Sequence, residues 1–226
     1  MVVTPPLAES LPSLAERLQA LTSALPPTTR LLAVSKGHPA DLVRQAAALG
    51  QRSFGESRLQ DAVPKQEELA DLPQLDWHFI GRLQANKVRG VLRRFGTIHS
   101  VDSLELARRL QRIAAEEGLS PAILLQVKFR PDPTKTGFDP AAVRELRPTL
   151  EDLEPLRCLG LMTMAPLGLS PDQRLELFRE CRGLADDLGL RECSMGMSGD
   201  WREAVAAGST WVRLGSALFG RRPIPG

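Results

Sequence analysis

Short apolar runs alternate along this chain with stretches whose apolar residues recur at helical spacing. Arg30-Leu31-Leu32-Ala33-Val34 is brief, partly branched and soon followed by Gly37 and Pro39, which predicts a buried strand. Similar runs predict strands over 53–57, 76–82, 97–102, 122–127, 158–164, 192–198 and 211–215. Between them, Leu14, Leu18, Leu21 and Leu25 predict a helix from about Leu11 to Ala24, stopped by Pro26-Pro27. Further helices are expected over 42–49, ended by Gly50, and over 58–72, where Pro64 bends the helix or marks its start. The pattern adds a basic helix over 86–95 and one over 104–117, capped by Ser103 and ended by Gly118. The remaining helices are 140–146, 171–188 behind Ser170-Pro171, and 200–207. Residues 128–138 read as a loop, and 1–12, with three prolines, as a loose tail.

Strands that are apolar throughout and alternate with helices indicate a parallel sheet covered by helices. Eight such units point to an α/β fold, one (β/α)₈ TIM barrel over 1–226 with an extra N-terminal helix. A doubly wound open sheet is the alternative. Neither the G-x-G-x-x-G nor the G-x-x-x-x-G-K-[ST] phosphate loop that such sheets often carry is present.

Composition narrows the chemistry. The 226 residues are 42% hydrophobic and 25% charged, ordinary for a globular protein. A net charge of +2 argues against an obligate nucleic-acid binder. The three cysteines, Cys158, Cys181 and Cys193, are too widely spaced for a zinc site or disulfide framework and suit a reducing cytoplasm. No signal peptide and no apolar run long enough for a membrane span is visible. The chain contains no tyrosine, which excludes any mechanism needing a tyrosine acid or base from it.

In a barrel of this type chemistry sits at the C-terminal strand ends, where Lys36, Ser57, Arg82, Asp102, Lys128, Met164, Ser198 and Gly215 fall. Strand alternation puts Lys36 on the face of Leu32 and Val34. Such a lysine is either a snorkelling end-cap or a partly desolvated amine able to form a Schiff base with a carbonyl. Met195-Gly196-Met197-Ser198-Gly199-Asp200 and Leu214-Gly215-Ser216-Ala217 offer small residues, hydroxyls and backbone N–H groups. They lie at the seventh and eighth strand ends, where barrels frequently hold phosphate. Arg213 lies within an apolar strand on the side of Gly215; it faces a ligand or pairs with an internal carboxylate such as Glu56. His78 and His99 lie on neighbouring strands and are expected to make structural hydrogen bonds. Lys87, Arg89, Arg93 and Arg94 read as a solvated helix face.

Several motifs then occur in order: Ala33-Val34-Ser35-Lys36, Phe54-Gly55-Glu56, Trp77-His78-Phe79-Ile80-Gly81-x-Leu83-Gln84-x-Asn86-Lys87 and Ile98-His99-Ser100-Val101-Asp102-Ser103. Lys135-Thr136-Gly137-Phe138, Gly160-Leu161-Met162-Thr163-Met164, Ser194 to Asp200 and Gly208-Ser209-Thr210-x-Val212-Arg213-x-Gly215 come after them. Together they strongly resemble the YggS/PROSC family of pyridoxal phosphate homeostasis proteins, over nearly the whole chain after residue 30. That family is similar in fold to the N-terminal barrel domain of alanine racemase, without the second, β-rich domain.

The resemblance implies pyridoxal 5′-phosphate (PLP) bound covalently to Lys36. Ser198, Gly199, Gly215 and Ser216 would hold the phosphate, Arg213 would face the pyridine nitrogen, and Ser57 and Met164 would line the site. An arginine cannot place a negative charge at that nitrogen, which weakens the ring as an electron sink. One position departs from the family: Ser57 stands where asparagine is usual. The implied role is PLP homeostasis in the cytoplasm by a monomeric carrier or regulator without robust turnover. PLP-dependent apo-enzymes are its expected partners, with no nucleic acid or membrane involved. The competing readings are an amino-acid racemase and a Schiff-base aldolase. Racemisation needs a second base, which alanine racemases draw from a partner's tyrosine. Cys193 is expected to face outward and so not to replace it. With so few residues after the last predicted strand, the racemases' second domain is not expected here.

Overall fold

The computed structural model describes residues 12–220, apart from the side chains of 147 and 151. Eight parallel strands close into one barrel in sequence order. They are β1 (Arg30–Val34), β2 (Ser53–Glu56), β3 (Asp76–Phe79), β4 (Thr97–Val101), β5 (Ala122–Gln126), β6 (Arg157–Met162), β7 (Glu192–Ser194) and β8 (Trp211–Leu214). Closure pairs β1 with β8, Arg30 opposite Trp211 and Leu32 opposite Arg213. The helices are α1 (Leu14–Ala24), α2 (Ala40–Ala48), α3 (Leu59–Glu68), α4 (Val88–Leu92), α5 (Leu104–Glu117), α6 (Pro140–Glu145), α7 (Arg147–Glu151), α8 (Pro171–Asp187), α9 (Trp201–Ala206) and α10 (Ser216–Phe219). The barrel and the extra N-terminal helix α1 are those the hydrophobic pattern predicts. Most of the expected loose tail, residues 1–11, and the chain's end, 221–226, lie outside the described residues.

Two apolar clusters fill the space between strands and helices. One joins Leu31, Ala33 and Val212 to Leu18 and Leu21 of α1 and Val43 of α2. The larger joins Ile98, Ile123 and Leu161 to Leu110 of α5 and Phe178 of α8. Cys193 belongs to the larger cluster, so it faces outward as expected. Period-two alternation turns the intervening residues inward: a Cβ on Gly55 would lie 3.4 Å from Leu32 and 3.2 Å from Ile80. Capping boxes start α1 (Ser13 with Glu16) and α8 (Ser170 with Gln173).

Several elements differ from expectation. β7 stops at Ser194 because Gly196 adopts φ +89°, and a Cβ there would sit 2.9 Å from the Trp201 backbone. β6 stops at Met162, and its register against β5 shifts beside Gly160, where a Cβ would fall 1.9 Å from the Glu192 carbonyl oxygen. The basic helix is shorter than predicted and opens with a 3₁₀ turn at Ala85–Lys87. Pro64 lies inside α3 rather than at its start. The short helices α7 and α10 are additional. Arg89, Arg93 and Arg94 do form a solvated face, paired with Glu116 and Glu117 of α5 and Glu67 of α3. Among the described residues no helix is long and apolar enough to cross a membrane.

Candidate functional site

The β1 ladder runs one residue past the strand, with Ser35 N–H donating to Gly55 O at 3.1 Å. The chain then turns: His38 N–H donates back to Ser35 O at 3.0 Å, and Gly37 takes φ +74°, which glycine adopts without strain. Lys36 sits at this turn. Beneath it lies a buried ion pair. Lys65 of α3 donates to Glu56 Oε1 at 2.5 Å and to Ser35 O at 2.8 Å, and Ser35 Oγ donates to the same carboxylate oxygen at 2.7 Å. Ser35 and Glu56 are wholly buried. The backbone that presents Lys36 is therefore held from outside the barrel by a charged clamp. Glu56 is engaged there with Lys65, so the internal pairing of Arg213 with Glu56 does not form.

A cavity of about 350 Å³ opens at the C-terminal mouth of the barrel. Val34, Lys36 and His38 line it from the β1 side and Ile80 and Met164 from β3 and β6. Met197, Ser198, Gly199, Arg213, Gly215, Ser216 and Gly220 complete the wall from the last two units. Seven of the eight residues expected at a common site meet here: Lys36, Met164, Ser198, Gly199, Arg213, Gly215 and Ser216. Ser57 does not. It lines a neighbouring cleft with Arg58, Gly81 and Arg82, because β2 ends at Glu56 and the chain turns outward toward α3. Asp102 and Lys128, also at strand ends, line neither space. His38, Ile80 and Met197 carry no sequence signal of their own beyond proximity to Lys36, Gly81 and Ser198.

The loop after β7 and the start of α10 are tied together. Ser198 Oγ accepts from Ala217 N–H at 3.2 Å, leaving its proton to donate elsewhere. Asp200 Oδ1 accepts from Met197 N–H at 2.6 Å and closes the turn that carries Ser198 and Gly199. Arg213 is fixed by Ser194 O (2.7 Å), Ser194 Oγ (2.8 Å) and Thr163 O (3.0 Å). Burial pushes its guanidinium down to about 10, against the charge of Asp200, so it remains cationic at neutral pH. His78 and His99 make the expected structural hydrogen bonds, Nδ1 to Nε2 at 2.8 Å. Burial, aided by the charges of Arg213 and Arg30, holds His99 well below the usual imidazole range.

Several proteins resemble this chain in both barrel and sequence. Residues 10–223 match the family model for the alanine racemase N-terminal domain. A pyridoxal phosphate homeostasis protein of Synechocystis is 48% identical, covering 89% of this chain and 95% of its own. The one of Pseudomonas aeruginosa is 44% identical and covers 96% of both. This chain belongs to the pyridoxal phosphate homeostasis protein family. The structure of PipY from Synechococcus elongatus with PLP bound has a TM-score of 0.88 at 52% identity, covering 92% of this chain and all of that one. Without PLP the TM-score is 0.90. An alanine racemase of Clostridium difficile shares the fold at a TM-score of 0.74 and 17% identity, over 93% of this chain but 57% of its own.

Proposed function

We infer that this protein binds PLP in the cavity at the mouth of its barrel, through Lys36, and serves PLP homeostasis without amino-acid turnover of its own. The observation that carries this reading is the composition of that one cavity. It holds a primary amine, a buried cation and two small-residue turns with hydroxyls, in a chain of this family. The residues fit the group. A volume of about 350 Å³ suits a small cofactor, and Ser198 and Ser216 place hydroxyls beside Gly199 and Gly215, where a phosphate can be gripped. The chemistry PLP supplies when bound is an electrophilic aldehyde and an electron-withdrawing ring.

The chain's own groups hold that chemistry in check. Lys36 provides the amine that holds the aldehyde. Arg213 offers only donors, so a ring nitrogen facing it stays in its unprotonated, acceptor form. The two candidate bases lining the cavity, Lys36 and His38, both come from the β1–α2 loop. Among the described residues lining the cavity, no imidazole, carboxylate or second amine stands across from them. With no tyrosine in the sequence either, the two-sided proton transfer of a racemase lacks its second base. The barrel would act as the whole binding unit, as a cytoplasmic monomer passing PLP to PLP-dependent apo-enzymes.

PLP titrated into the purified protein should produce an absorption band that borohydride abolishes, with no exchange of the α-proton of L- or D-alanine in deuterated water. The Ser198→Ala, Ser216→Ala double variant should bind PLP at least about a hundredfold more weakly, for two lost charge-assisted hydrogen bonds. Rapid α-proton exchange with inversion would restore the racemase reading, and unchanged affinity in the double variant would move the phosphate elsewhere.

A further inference from the structure

Four hydrogen bonds run in series through the barrel interior, from its N-terminal mouth to the cavity. Asp76, the first residue of β3, accepts at Oδ2 from His78 Nε2 at 2.6 Å. His78 Nδ1 meets His99 Nε2 at 2.8 Å, His99 Nδ1 meets Ser194 Oγ at 2.9 Å, and Arg213 donates to that same Ser194 oxygen at 2.8 Å. The four residues from His78 to Arg213 are all buried, and the Trp211 ring packs edge-on against both imidazoles. Asp76 faces a depression at the base with Arg30, Arg157 and Glu192.

The ends of this series fix its direction. A guanidinium only donates and a carboxylate only accepts. Burial raises the Asp76 carboxyl, but the hydrogen bond from His78, with Ser53 and Arg30, outweighs it and keeps the group below its ordinary value. With both imidazoles neutral, one arrangement satisfies every link. Arg213 N–H donates to Ser194, Ser194 O–H to His99 Nδ1, His99 Nε2–H to His78 Nδ1, and His78 Nε2–H to Asp76. Both imidazoles carry one proton, on Nε2. A second proton on His78 sets donor against donor unless His99 turns an Nδ1–H to the Ser194 oxygen. At the cavity end, Ser194 and Thr163 occupy three of the five guanidinium N–H groups. The remaining donors of Arg213 are left for a ligand.

We propose that Ser194 and His99 are positioning residues for Arg213, and that this one-directional chain, anchored on Asp76, holds the guanidinium as a fixed donor to the ring nitrogen of bound PLP. The proposal rests on the reading of the cavity as a PLP site. Its test combines histidine ¹⁵N spectra of the ligand-free protein with the ring ¹⁵N resonance and dissociation constant of labelled PLP in wild type, Ser194→Ala and Ser194→Thr. The expected result is the Nε2–H tautomer at both histidines. In Ser194→Ala the ring resonance should move and binding should weaken by about tenfold, as for one lost hydrogen bond to a charged group. Ser194→Thr, which keeps the hydroxyl, should restore both. If Ser194→Ala does not fold, His99→Gln carries the same expectation for the ring resonance. A His99 Nδ1–H tautomer, or an unmoved ring resonance in variants that still take PLP, would overturn the chain alone. Wild-type protein that takes no PLP would overturn the reading of the cavity and the proposal with it.

Discussion

Lys36 owes its setting to residues that never enter the cavity. Glu56 and Lys65 meet on the outer side of the barrel and grip the carbonyl and hydroxyl of Ser35, one residue before the lysine. A buried ion pair adds little net stability over an apolar pair, but removing one member strands the other charge. Glu56→Ala should therefore destabilise the protein by roughly 3–5 kcal/mol, read as a lower urea midpoint at unchanged slope, and should weaken PLP retention by loosening Ser35. A loss below about 1 kcal/mol would mean that water or rearrangement satisfies Lys65. This clamp is not legible in the sequence. Opposite charge near strand ends makes Glu56 a plausible partner for Arg213, and only the observed registers put them on opposite faces. Ser57 lines the adjoining cleft instead for a related reason: β2 ends one residue earlier, so the pleat no longer dictates where Ser57 points.

Among the elements, β3, β4, β7 and β8 carry polar groups into the barrel interior, and that choice has a pH signature. His99 must be neutral in the fold, whereas in the unfolded chain it titrates near 6.5. Its folded value is depressed, so as pH falls below 6.5 the unfolded chain binds more protons and stability declines. Above that value the group adds no pH dependence. His99→Gln should flatten the stability profile between about pH 6.5 and 5, where one such group contributes a slope of up to about 1.4 kcal/mol per pH unit. Equal slopes in variant and wild type would contradict the buried neutral imidazole. The strands themselves are legible because glycine and proline punctuate each run. Their lengths are not: the pattern carries β7 on to Ser198, because nothing local reveals that Gly196 turns against Trp201 and Ala204.

At the level of the whole molecule, eight local signals suffice for the barrel because each strand pairs with its neighbour in sequence and only β1 with β8 closes at long range. The cavity is legible to the same degree, since a barrel gathers its C-terminal strand ends into one place whatever their spacing in the chain. What holds Arg213 is not legible, because its partners are a backbone carbonyl of Thr163, just past β6, and two oxygens of Ser194 on β7, far apart in sequence. On the proposed function, one lysine of this barrel takes PLP, and borohydride reduction of the PLP-loaded protein, with proteolysis and mass spectrometry of the pyridoxyl peptides, identifies it. The modification should map to Lys36 and vanish in Lys36→Ala; a pyridoxyl group on Lys135 or another lysine that survives Lys36→Ala would contradict it.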